Sequence, residues 1–378
     1  MAGIYVHIPF CASRCAYCDF FSTLRLGEVG EAYVDAVVAE ARLRHDELCG
    51  GAVSTLYLGG GTPSQLPISL LERLVGGLRA TFDLSGLEEF TIEANPDDVT
   101  PEWCVALSPL GVNRVSMGVQ SFEDHILRAI GRRHTARQAV QAVENLRHAG
   151  IDNISIDLIY GLPGQTVESW TESVQRALDL RPQHISAYGL SYEEGTRLWR
   201  QRERGEVIEV PEVQCLEMYR ILVDKLQAAG YEHYEISNFA LPGYHSRHNS
   251  SYWDDTPYLG LGAAAHSYDG TVRRYNPSDL KGYIDKIMAG ETAFEQEQLS
   301  RWERYDERVM LGLRTATGVD ADRLRADFGD EAWRHFTQEA RPHITAGNLR
   351  VTDDRRYILT RNGIMLSDAI IRDLMWNE

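Results

Sequence analysis

Three cysteines close together, Cys11, Cys15 and Cys18 in the run HIPFCASRCAYCDF, have the types and the spacing for metal chemistry. The pattern is C-x3-C-x2-C. Iron–sulfur cubanes are normally held by four thiolates, so three on one short loop can reach three irons and leave the fourth open. An open metal position can take a small molecule, as a catalytic zinc does. Ser13 and Arg14, between the cysteines, make the segment a loop and not a core strand. Zinc is the rival metal, but its sites favour C-x2-C pairs completed by a second pair or by histidines. Cys49, Cys104 and Cys215 are isolated and complete no such set. Six cysteines in 378 residues, with nothing like a secretory signal, argue for a reducing compartment and against a disulfide framework.

Stepping outward from the cysteines, the first 240 residues alternate short apolar runs with helical patterns. Strands are expected at Ile4–Ile8, Thr55–Leu58, Glu89–Glu93, Arg114–Gly118, Asn153–Leu158 and His184–Gly189. Helices are expected at Glu31–Leu48, Leu70–Thr81, Pro101–Leu110, Thr135–His148, Glu168–Leu178 and Val213–Ala229. Six such units predict an α/β fold, a partial (β/α)6 TIM-like barrel, with chemistry on the loops after the strands. Those loops carry the remaining candidates. YLGGGTPS follows the second strand, and Gly60, Gly61 and Thr62 permit close backbone approach there. No Gly-Lys-Ser/Thr follows, which excludes a P-loop and leaves a tight strand–helix turn as the plain alternative. Glu93 ends the third strand, with a helix cap as its alternative, and Gln120 ends the fourth. Arg132 lies in IGRRHT beside Arg133, Asp157 ends the fifth strand, and Ser191 follows the sixth.

HIPFCASRCAYCDF resembles the cluster loop of the radical S-adenosylmethionine (SAM) superfamily. From about Ile4 to the C-terminus the chain is similar to its coproporphyrinogen dehydrogenase-like (HemN/HemW) branch, above all to the HemW-type haem chaperones. The resemblance implies a [4Fe-4S] cluster on the three cysteines, with SAM at the open iron and its sulfonium cleaved by an electron from the cluster. It implies that Gly60, Gly61 and Thr62 meet the methionine amino group, that Glu93 and Gln120 border SAM, that Arg132 meets its carboxylate and that Asp157 contacts the ribose. Ser191 would act through its backbone, and Tyr5 and Tyr17 would flank the adenine or methionine. Coproporphyrinogen dehydrogenases have a fourth cysteine two residues after the third, where this chain has Phe20, and a longer segment ahead of the cluster. Both departures count against oxidative decarboxylation. His248-Asn249-Ser250-Ser251-Tyr252-Trp253 matches the H-N-x-x-Y-W pattern of the chaperones. A neutral imidazole can ligate haem iron, and Tyr252 and Trp253 offer flat apolar surface to a porphyrin. His245 and His266 compete as ligands, and a loop-bonding histidine with packing aromatics is the plain alternative.

The resemblance therefore implies a haem chaperone that passes haem to an acceptor protein. The other reading is an oxygen-independent coproporphyrinogen III dehydrogenase or another radical SAM tetrapyrrole enzyme. The division expected is 1–240 for the radical SAM barrel, 241–300 for the haem-motif segment and connection, and 301–378 for a small helical, winged-helix-like domain with a hairpin of Leu349–Val351 and Tyr357–Leu359. A net charge of −17 argues against nucleic acid as a partner, wing included. No apolar run approaches the roughly 20 residues of a membrane span, and the early start of IYVHI leaves no room for a leader. A cytoplasmic location is expected, with any membrane association peripheral through a membrane-bound acceptor, and a homodimer is compatible with the resemblance.

Overall fold

The computed structural model describes residues 2–48 and 52–376, so Cys49 lies outside the described residues. Six strands, β1 (Ala2–Ile8), β2 (Val53–Gly60), β3 (Glu89–Ala94), β4 (Arg114–Gln120), β5 (Asn153–Tyr160) and β6 (His184–Gly189), lie parallel and in chain order. Helices at Leu26–Leu43, Ile68–Thr81, Pro101–Leu110, Ala136–His148, Val167–Asp179 and Glu212–Ala228 accompany them. All six expected units are present. The first helix starts earlier than its apolar pattern suggests and gives way to a 3-10 turn at His45–Leu48.

The sheet continues at both ends. β7 (Glu232–Glu235) and β8 (Asn238–Ala240) form a hairpin that adds antiparallel to β6 through β8. β9 (Tyr258–Leu261) adds parallel to β1, and β10 (His266–Tyr268), β11 (Val272–Tyr275) and β12 (Glu295–Gln298) follow antiparallel. The result is an open twelve-stranded sheet with β12 and β7 at its edges. The parallel strand β9 is absent from the sequence reading. It is short and holds Gly260, where a Cβ would stand 1.9 Å from the His266 carbonyl oxygen. A buried clamp fixes it. Glu40, fully buried in the first helix, accepts from the Gly262 N–H (2.8 Å), Asn276 Nδ2 (2.8 Å), Tyr283 Oη (2.7 Å) and Arg44 Nη1 (2.8 Å). Arg44 in turn donates to the Gly260 carbonyl and to Ser267 Oγ.

Side-chain alternation explains how this sheet holds a site. Parallel strands covered on both faces usually read as continuous apolar runs. Here one face carries Ile4, Val6, Ile8, Leu56, Leu58, Phe90, Ile92, Val115 and Met117 into the main core beneath the helices. The inner face carries Tyr5, His7, Thr55, Tyr57, Glu89, Thr91, Glu93, Arg114, Ser116, Asp157, His184 and Ser186. Many of these bond to one another across strands. The short helix Arg247–Ser251 closes this polar interior at the N-terminal ends of the strands. Glu89 Oε2 accepts the Arg247 N–H (2.9 Å) and Oε1 the His248 N–H (3.0 Å), placing a carboxylate at the positive end of the helix.

A second core, from Tyr305 to Leu374, organises the C-terminal domain. Helices Arg301–Leu313 and Ala321–Thr345 pack on a sheet of β13 (Val319–Asp320), β14 (Leu349–Val351) and β15 (Arg356–Leu359), in the order β13-β15-β14. The hairpin is as expected; β13, two residues long, joins it as a third strand. Among the described residues no helix is long and apolar enough to cross a membrane.

Removing the clamp carboxylate leaves three buried donors without a partner and takes from Arg44 one of its two carboxylates, the other being Glu47 at 2.8 Å. Glu40→Ala should lower unfolding stability by about 3 kcal/mol, measured by denaturant titration. A loss under about 1 kcal/mol would mean that the clamp is not what holds β9.

Candidate functional site

A cavity of about 520 Å³ opens at the C-terminal ends of the parallel strands. Its wall contains Cys11, Cys15, Cys18, Tyr17, Gly60, Gly61, Thr62, Glu93, Gln120, Arg132, Asp157, Ser191 and Asn249. Thirteen residues singled out in the sequence are thus brought together. Tyr57, Asn95, Ser186 and Tyr188 also line it, and the sequence reading passed over them. For Tyr57, Ser186 and Tyr188 the signal is the polar alternation within β2 and β6, while Asn95 directly follows β3.

The cysteine loop is pinned from several sides. The Cys11 N–H donates to the Thr23 carbonyl (3.0 Å), the Ala16 N–H to that of Ile130 (2.8 Å), and Leu198 N–H to that of Ala16 (2.7 Å). Tyr17 packs on a separate apolar cluster of Ile126, Ile130, Ile159 and Leu162. All three cysteines are free thiols, partly exposed to the cavity. Thr62 Oγ1 and Arg132 Nη1 each donate to a sulfur, of Cys11 and Cys15 respectively, at 3.4 Å. Burial pushes the Cys11 thiol up and raises Cys18 to about 11. Among the described residues no three His, Cys, Asp or Glu side chains gather closely enough to hold a single metal ion. Three free thiols on the wall of one cavity form a donor set that fits a cluster with an open corner.

The glycine run earns its composition at two positions. Gly60 has φ +107, and a Cβ there would stand 2.4 Å from the His7 ring. A Cβ on Gly61 would stand 2.7 Å from the Ile8 carbonyl oxygen, which accepts the Gly61 N–H at 2.8 Å. Glu93 accepts from Tyr57 Oη (2.7 Å) and from the Gly60 N–H (3.0 Å). Burial raises it to about 7 despite those donors, which pull the other way. Asp157 is also pushed up by burial, opposed by hydrogen bonds from Ser186 and Ser116 and by the Arg114 charge. Gln120 sits at a register shift in β4 with φ 65, a left-handed conformation uncommon outside glycine. Arg132 turns inward, donating from Nη2 to Asn95 Oδ1 (2.6 Å) and to the Gly118 carbonyl. Arg133 instead pairs with Asp97 (2.8 Å) and Asp98 (2.9 Å). Both arginines line the cavity, Arg133 with its guanidinium committed to these two aspartates. Ser191 is exposed at the rim and donates to Glu193.

Tyr5, His248, Tyr252 and Trp253 do not line the cavity. Tyr5 lies below it and donates to or accepts from His7 Nδ1 at 3.0 Å. His248 is 1% exposed, and both its ring nitrogens are engaged, Nδ1 with Thr55 Oγ1 (2.8 Å) and Nε2 with Tyr252 Oη (2.9 Å). Burial and the Arg114 charge lower it to about 3, so the imidazole is neutral. The expectation of a histidine ready for iron meets a different arrangement, because Thr55 and Tyr252, one of them remote in sequence, occupy its lone pair and its N–H. Asn249 of the same helix does reach the cavity. The competing His245 bonds Glu232 Oε2 at 2.8 Å, and His266 is on β10. Arg114, unremarked in the sequence, is 1% exposed inside the sheet, with one 3.4 Å contact to Thr91 Oγ1 and a buried Nε without a partner.

The family profile "Radical SAM superfamily" matches residues 5–177, and "HemN C-terminal domain" matches residues 299–366. "Heme chaperone HemW" of Lactococcus lactis is 37% identical over 99% of this chain and 97% of its own length. The protein of the same name from Bacillus subtilis is 36% identical over 98% of each. The solved structure of coproporphyrinogen III oxidase (HemN) from Escherichia coli, described as a radical SAM enzyme, superposes with a TM-score of 0.86. It has 25% identity over 99% of this chain and 90% of that one.

Glu93 supplies a pH test that needs no ligand. Its folded value of about 7 lies above its ordinary 4.5, so the folded state holds the proton more tightly. The stability it contributes is fully present below about pH 4.5 and is lost as pH rises through about 7. In cluster-free protein, Glu93→Gln should gain on wild type by about 2 kcal/mol between pH 5 and pH 8. Melting curves that stay parallel across that range would show that Glu93 is not held protonated.

Proposed function

The chain belongs to the HemW family of the radical SAM superfamily, and on that footing we propose that it is a haem chaperone, binding haem and delivering it to an acceptor protein. The observation that carries the reading is near full-length identity of 36–37% to proteins named haem chaperones. Asp19-Phe20 after the third cysteine supports it, because the fourth cysteine of the dehydrogenases is missing. In this reading Cys11, Cys15 and Cys18 would hold a [4Fe-4S] cluster that leaves one iron open for SAM. When reduced, that cluster supplies an electron able to cleave the sulfonium.

The residues of this chain bind and orient. Gly60, Gly61 and Thr62 would bring backbone close to the methionine end, where Glu93 would accept from the amino N–H. Arg132 answers the carboxylate, Asp157 and Gln120 meet the ribose side, and Tyr17 and the Ser191 backbone border the rest. Residues 1–240 serve the cofactors and 241–300 carry the haem motif, while 301–378 act as a lid or docking element. The acceptor can be membrane-bound, with the chaperone itself cytoplasmic and meeting it peripherally. Self-association on cluster loading is part of the same reading.

For haem, the motif helix Arg247–Ser251 is the candidate contact, with Asn249 facing the cavity. Ligation by His248 requires Nε2 to leave Tyr252. Tyr252→Phe removes that competitor, so haem affinity should rise several-fold if His248 is the ligand, followed by the Soret band. Unchanged affinity would move the ligand elsewhere. A broader test uses anaerobically reconstituted protein with SAM, a reductant and either haem or coproporphyrinogen III. Stoichiometric haem binding without decarboxylated product is expected; protoporphyrinogen formation would make the chain a dehydrogenase. Replacing any of the three cysteines by Ala should abolish the brown cluster absorption, and a retained spectrum would refute their role.

A further inference from the structure

A second crevice, of about 290 Å³, lies between the β7 edge of the barrel and the C-terminal domain. Four arginines line it: Arg220 from the helix Glu212–Ala228, Arg314 at the end of Arg301–Leu313, Arg350 on β14 and Arg361 after β15. Such a concentration is unexpected in a chain of net charge −17. Glu235 is the carboxylate on the same wall. Its Oε2 is taken by the Ser237 N–H (3.0 Å) and Asn238 Nδ2 (2.5 Å), and its Oε1 lies 3.4 Å from Arg314. Arg361 pairs with Asp224 at 2.5 Å. Among the described residues Arg220 and Arg350 make no ion pair, and Arg314 Nε is buried without a hydrogen-bond partner.

Between the arginines the wall is apolar, built from Leu313, Ile358, Ile364 and Met365. The two unpaired guanidiniums come from different cores and face one crevice. Guanidinium forks suit carboxylates, each able to take one bidentately. An apolar wall with two such forks suits an amphipathic ligand with two carboxylates better than a free inorganic anion, which gains nothing from hydrocarbon. The crevice also adjoins the motif segment, since the Arg314 guanidinium lies 5.6 Å from the centre of the Trp253 ring.

We infer that this crevice is a binding site for the paired carboxylates of an amphipathic ligand and, resting on the haem reading above, that it grips the propionate edge of haem through Arg220 and Arg350. A ligand held there would tie the C-terminal domain to the barrel and be felt at the motif through Arg314 and Trp253.

The test titrates the full chain with haem and with haem dimethyl ester, whose propionates are uncharged, and compares wild type with the Arg220→Gln/Arg350→Gln double variant. Both arginines are exposed and unpaired, so the variant should fold, which a melting curve checks. Wild type should bind haem about tenfold or more tightly than the ester. The double variant should lose that preference while its affinity for the ester stays the same, and Arg→Lys at both positions should restore part of it. Haem binding indifferent to the two arginines would overturn the inference and leave the haem reading standing. A wild-type protein that binds no haem would overturn both.

Discussion

A parallel sheet that is polar on its inner face must be closed below and supplied with counter-charges within, and most of this molecule follows from that constraint. Arg114, Glu89, Glu93 and Asp157 are all on the inner faces of β3, β4 and β5, the first two buried and the last two opening on the cavity. Among the described residues Arg114 has no carboxylate within ion-pair distance and one long hydrogen bond. Its charge is therefore spread over the interior, where it opposes the upward shift of Asp157 and helps keep His248 and His184 neutral. Buried charges persist when surrounding groups answer them, and here the answer is a set of polar side chains reaching in from neighbouring strands.

Closure below comes from far along the chain. The helix Arg247–Ser251 is short and has little stability of its own. Glu89 makes it a floor by accepting two of its first N–H groups, with Ser246 capping the third position. His248 then fills the space that Gly3 leaves open, where a Cβ would stand 2.8 Å from Thr55 Oγ1 and 3.1 Å from the His248 ring. The H-N-x-x-Y-W pattern is thus a structural element of the barrel as well as a candidate haem contact. A helix seated by two hydrogen bonds to one carboxylate can also be unseated more readily than a core strand.

What the sequence discloses depends on whether a signal is local. The six barrel strands are legible because each carries its own apolar run, and the helices because each carries a full apolar stripe. β9 is not legible, since its place is secured by Glu40 and Arg44, more than two hundred residues earlier. β13 is two residues long and exists through pairing with β15. In the site, the cysteines and glycines declare themselves by spacing. Glu93 and Gln120 follow from lying at strand ends and Asp157 from the inward alternation of β5, while the pairing of Arg133 with Asp97 and Asp98 is not legible. The occupied state of His248 could not be read, because Thr55 is distant in sequence and nothing local announces the pairing.

Cys11, Tyr17, Cys18, Glu93 and Asp157 are all displaced toward their neutral forms, with burial as the largest cause in each case. Burial, and not a lack of nearby cations, holds these acids neutral, since Arg14, Arg132 and Arg133 share the wall with them. The radical SAM family implies a cluster of iron and a ligand that carries a sulfonium and an amine. Metal ions invert local proton affinities and deprotonate the thiols they bind, and a cation beside Glu93 lowers its proton affinity in the same way. The same acids that would be costly to ionise in an empty pocket are those that would hold a cationic cofactor once it enters, so binding and deprotonation are coupled by linkage.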